Sequence, residues 1–194
     1  MKFFMVFLLL LNFMVVASAH AAETHHSKYA GQQFRQIKSL SDDDIAELKR
    51  GGGWGLAKAA ELNGMPGPAH ILELKQQLKL TQEQAGKIEA LYAEMNQQAK
   101  LLGESLIKLE TELNDEFVNK TINQDQLEKL VNDIEGVRAK LRITHLSTHL
   151  KTPGILTKDQ IALYNELRGY SKDPCAHVPE GHDPQMWKKH NNCN

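Results

Sequence analysis

The sequence is poor in aromatic residues (6% of 194) and has only two cysteines, two tryptophans and no excess of either charge, with 23 basic against 24 acidic side chains. Few aromatics and abundant Leu, Glu, Lys, Gln and Ala point to elongated helices rather than a thick globular core. The charge balance argues against nucleic acid as a partner, because phosphate binding needs a concentrated positive surface. No segment sustains the alternation of strand-forming residues that announces a sheet. Enzyme signatures are missing too. Residues 51–58, Gly-Gly-Gly-Trp-Gly-Leu-Ala-Lys, superficially look like a phosphate loop but lack Gly-Lys-Ser/Thr and follow no strand. Neither a nucleophile elbow nor His-Glu-x-x-His occurs. The expectation is a protein that is not an enzyme.

Long apolar runs are absent except at the start. Residues 3–17 are almost wholly apolar after Lys2, and Ala17-Ser18-Ala19 and Ala19-His20-Ala21 follow as small-x-small signals. That run is short for a membrane span and has no stop-transfer pattern behind it, so residues 1–21 read as a cleavable secretory signal peptide. Cleavage would leave 173 residues of exported chain, enough for one modest domain.

What is present is helical. Residues 22–40 have little apolar periodicity and read as a mobile leader. Residues 41–67 read as an extension of short helices. Ser41 caps the first, Asp42, Asp43 and Asp44 face the positive end of its dipole, and Gly51-Gly52-Gly53 interrupts it. A second is expected over 54–62, ending at Asn63-Gly64. Pro68 suits the first position of a helix to about Leu78. From Gln82 to about Val118 an apolar stripe runs through Ile88, Leu91, Tyr92, Met95, Ala99, Leu102, Leu106, Leu109, Leu113 and Phe117. Steps of three and four predict one helix on the order of 55 Å long. After a break at 119–123, Asn123 and Gln126 can cap a return helix carrying Leu127, Leu130, Val131, Ile134, Val137 and Leu141 to about Lys151. Two long amphipathic helices with a short loop predict an antiparallel hairpin. A hairpin alone leaves much of each stripe wet, so a homodimer is expected, with a closed four-helix monomer as the alternative. A last helix follows from Lys158 to Arg168. The polar tail, residues 171–194, is expected to be disordered.

One motif occurs twice: Leu80-Thr81-Gln82-Glu83-Gln84 and Leu156-Thr157-Lys158-Asp159-Gln160. In each, Thr is an N-cap whose backbone N–H the Gln can reach, and Leu can staple onto Ala85 or Ile161. Two Leu-Thr-x-x-Gln helix starts bracketing a long hairpin in a small exported protein resemble the Spy/CpxP family of periplasmic stress proteins, with its ZraP- and CnrX-like metal-responsive members. The resemblance covers residues 68–170. It implies an all-α hairpin that dimerises into a thin cradle in the periplasm. It also implies ATP-independent chaperoning of unfolded proteins, or control of a membrane-bound sensor protein. The client face would include Leu91, Met95, Leu102 and Leu141, which are equally candidates for buried core. No dense basic patch lies along the hairpin, with Arg138, Lys140 and Arg142 the nearest approach.

His145 and His149 lie one turn apart on one side of the return helix. Such a pair can give two nitrogens to Zn²⁺, Cu²⁺, Ni²⁺ or Co²⁺. Folding the hairpin about its loop sets His149 level with Tyr92 and His145 level with Met95. Met95, Glu94 and Glu89 are therefore candidate further ligands, and CnrX-like relatives imply such a set. Two other readings stay open: solvent-facing helix residues, or a pH-sensitive pair. Weaker metal candidates are His25, His26, Cys175, His177, His182, His190 and Cys193. Export to an oxidising compartment favours a Cys175–Cys193 disulfide over metal capture there.

Overall fold

The computed structural model describes residues 27–170, 175, 178 and 181–193. The chain divides into two compact units, residues 1–33 and 34–194, and the second carries every α-helix of the described residues. These are α1 (Asp42–Lys49), α2 (Lys58–Glu61), α3 (Pro68–Glu73), α4 (Gln82–Asn119), α5 (Gln124–Lys151), α6 (Lys158–Leu167) and α7 (Pro184–His190). The class is all-α, with no strand among the described residues. No described helix is long and apolar enough to cross a membrane.

Four of these helices start with the same local chemistry. Ser41, Thr81, Asn123 and Thr157 each accept a bond from the backbone N–H three residues on. Asp44, Gln84, Gln126 and Gln160 reach back to the N-cap backbone. Each box satisfies two N–H groups that a helix end would otherwise leave open. At the far end α4 stops at Lys120, which takes a left-handed φ of 57°.

Apolar periodicity then dictates the packing. α4 and α5 share the largest helix–helix contact, with Glu110 of α4 ion-paired to Arg138 of α5 at 2.9 Å. Met95, Ala99, Leu106, Ile134 and Leu141 form one core with Leu48 from the extension and with Ile37 and Leu40 from the end of the leader. A second core gathers Ile71, Leu78, Ile88, Leu156 and Tyr164 around the paired helix starts.

Three expectations need correction. The helix expected over 54–62 is only α2, because Trp54 turns to a φ of 44° and Gly55 to 69°. Trp54 is held instead by tertiary bonds, its indole N–H donating to Asp44 at 2.8 Å beneath the Arg138 guanidinium. The helix from Pro68 ends at Glu73, and the chain turns through Lys79 at a φ of 49°. The tail contains α7, whose start Asp183 caps and Pro184 preorganises, inside a loop closed by the Cys175–Cys193 disulfide.

Candidate functional site

The site forms where the extension meets α5 and α6. Both histidines of α5 are buried, His145 to 4% exposure and His149 to 7%. The Nδ1–H of His149 donates to the Met65 carbonyl at 2.7 Å. His145 Nε2 is buried without a partner. His149 thus spends one nitrogen on the backbone of residues 41–67. Burial holds the His145 pKa below the usual imidazole value and neighbouring His149 adds to this, while Glu47 and the nearby Gly52 backbone act the other way.

Glu61, on α2, is the charge at the centre. Its Oε1 accepts from the hydroxyl of Tyr164 and, at 3.1 Å, from that of Tyr170. Its Oε2 accepts from the Gly67 N–H at 3.2 Å and lies 3.8 Å from His149 Nδ1. Arg168 makes an ion pair with it at 3.6 Å. Buried charges persist when paired and fully hydrogen-bonded, and Glu61 meets that condition. Burial, and secondarily Glu61, push the Tyr164 phenol well above its ordinary pKa, so it remains a donor. Gly67 is glycine for space: a Cβ there would lie 2.7 Å from His149 Cε1 and 2.8 Å from its Nε2. A half-open cleft of about 490 Å³ runs past this cluster, lined among others by Trp54, Tyr92, Met95, His145 and His149.

Met95 therefore reaches the same cleft as the two histidines, and Tyr92 with it. Glu89 and Glu94 are exposed and do not line it. The carboxylates near the histidines are Glu61 beside His149 and Glu47 acting on His145, both from a segment the sequence left without a role. Among the described residues, no group of three or more His, Cys, Asp or Glu is arranged to hold a metal ion. Leu91, Met95 and Leu141 are buried and Leu102 half-buried. His25, His26 and His177 lie outside the described residues. Cys175 and Cys193 are joined at 2.11 Å, His182 meets Trp187 edge-on at 4.9 Å, and His190 ends α7 in solvent. His70 sits in α3 and bonds Glu73 at 2.9 Å.

A second polar joint unites the repeated motif. Gln84 Nε2 donates to Gln160 Oε1 at 2.8 Å and Gln160 Nε2 returns a bond to Gln84 Oε1 at 3.0 Å. The same amides reach the Ile155 and Leu78 carbonyls at 2.9 and 3.1 Å. Each glutamine thus caps its own helix and ties it to the other. Neither a protein-family model, nor a curated protein, nor a solved structure matches the chain.

Proposed function

We propose that this chain is a periplasmic stress-response protein of Spy/CpxP type that works by binding. Its partners are partly unfolded proteins or a membrane-bound sensor, and it works without ATP or catalysis. The observation that carries the reading is the reciprocal Gln84–Gln160 pair. It gives the two Leu-Thr-x-x-Gln starts a joint structural purpose, fastening α6 to the base of α4, beyond capping each helix alone. An antiparallel hairpin of α4 and α5 that dimerises through its uncovered apolar side chains belongs to the same reading. Leu101, Ile143 and Leu150, each more than half exposed, are available for that contact. The test is suppression of aggregation of a chemically denatured client by the mature protein at near-stoichiometric ratio. Absence of protection, with no capture of a sensor ectodomain, would refute it.

One observation favours a second reading, a metal-responsive protein holding Zn, Cu, Ni or Co. The carbonyl bond on His149 Nδ1 is the usual support for a histidine that ligates through Nε2. His145 Nε2 is unpartnered and lines the same cleft as Met95 and His149. Two imidazoles and a thioether suit a soft transition metal, and Glu61 Oε2 lies 3.8 Å from His149 Nδ1. Calorimetric titration with each ion decides it. Affinity unchanged in His145→Ala/His149→Ala would remove the pair from consideration.

A further inference from the structure

The face of α4 that carries Met95, Ala99 and Leu106 is covered by residues 34–50 of the same chain. How α4 holds that segment is unusual for a fixed core contact. Gly103 lies in the middle of α4, where glycine is destabilising relative to alanine. A Cβ there would meet the Leu48 carbonyl oxygen at 2.4 Å, so the position is kept open for another backbone. Asn96 Nδ2 donates to the Arg50 and Gly51 carbonyls at 2.8 and 3.2 Å, gathering acceptors that the C-terminus of α1 leaves free. Farther along, Asn114 Oδ1 accepts the Lys38 N–H at 3.3 Å and Glu110 Oε2 accepts the Ser39 hydroxyl at 2.7 Å. Three of these four α4 positions address the main chain of the docked segment rather than its side chains.

The remaining seats are generic. Ile37, Leu40, Ile45 and Leu48 enter among Met95, Ala99, Leu106, Ile134 and Leu141, where one aliphatic side chain can replace another at modest cost. A groove that reads backbone and unspecific apolar bulk admits any short amphipathic helix ending near Asn96. We propose that residues 34–50 are a removable internal occupant of this groove. Its other occupants are short amphipathic helical segments of partly unfolded proteins, which compete with residues 34–50 for the same seats. This rests on the client-binding reading and names both the surface and its regulation. The exit route is built in, since the segment leaves α4 through Gly51-Gly52-Gly53, with Gly51 at a φ of 69°.

The test compares wild type with three variants of the mature chain against aggregation of reduced α-lactalbumin. Lys38→Cys/Asn114→Cys, bridged by a short bis-maleimide, locks the segment down while Cys175–Cys193 stays disulfide-bonded. Leu40→Asp/Leu48→Asp opens it from the segment side. Locking is expected to abolish protection. Opening is expected to tighten binding of a fluorescent peptide of residues 34–50 by about tenfold over wild type, because the internal competitor no longer occupies the seat. Gly103→Ala added to the opened chain, whose methyl fills the space a docked backbone needs, should weaken that peptide binding again. Equal protection by locked and wild-type chains overturns the proposal and leaves the client-binding reading intact. Opened chains that neither bind the peptide more tightly nor protect better overturn it too. Protection by none of the chains sinks both.

Discussion

Two polar joints fasten short helices to the long ones, and they differ in every respect that matters for stability. The Gln84–Gln160 joint is neutral, only part-buried, and made of side chains already engaged in local capping. The Glu61 joint is buried and charged, and draws its partners from three places: Gly67 beside α3, His149 on α5, and Tyr164, Arg168 and Tyr170 on or beyond α6. A neutral joint of capped amides can open and close at little cost. A buried carboxylate cannot lose partners one at a time, because each loss leaves charge or hydroxyl unsatisfied. The molecule thus has one forgiving fastening and one unforgiving one.

Substitutions sharpen that contrast. Glu61→Ala should be the most damaging, at about 3–5 kcal/mol, since it strands two hydroxyls, Arg168 and the Gly67 N–H. Urea unfolding followed by circular dichroism reads the loss. A loss under ~1 kcal/mol would mean that the joint is dispensable. Gly67→Ala should cost about 1–3 kcal/mol by pressing a methyl into the His149 ring. Its signature in a proton NMR spectrum is a displaced His149 ring resonance with His145 little changed. Gln84→Ala and Gln160→Ala should each cost about 1 kcal/mol, and a double-mutant cycle should give coupling of at least ~0.5 kcal/mol. Additive costs would show two independent caps.

The smallest effect concerns pH. The folded pKa of His145 lies below its unfolded value, so the unfolded chain binds more protons between the two. The His145 contribution is complete above about pH 6.5 and declines as pH falls through that value toward the folded one. His145→Asn should flatten this part of the stability–pH curve. An unchanged slope would assign it to other groups.

How much of this the sequence displayed obeys the same division. The capping boxes at Thr81, Asn123 and Thr157 and the stripe from Ile88 to Phe117 are local patterns, fixed by spacings of three and four residues. Their positions are legible without tertiary information. The register that brings Met95 and Tyr92 to the histidine cleft comes from those helices and one short loop. Glu61 is different. It is one glutamate among many, and its partners Tyr164 and Tyr170 lie more than a hundred residues on. No local period marks such a residue. The glycines give a partial signal: Gly67 and Gly103 sit where a backbone or ring must come close, but the sequence does not say what comes. Trp54 misled for a related reason, since its helical spacing is overridden by bonds to Asp44 and stacking under Arg138.

The central claim is that the α4–α5 face binds non-native polypeptide, and site-specific photo-crosslinking tests it most directly. A benzophenone amino acid at Leu102, half-buried at the edge of that face, should capture denatured client in the mature protein. The same probe at exposed Lys108 serves as the control. Client adducts concentrated at Leu102 are the predicted result; equal capture at both positions, or none at Leu102, would contradict the account.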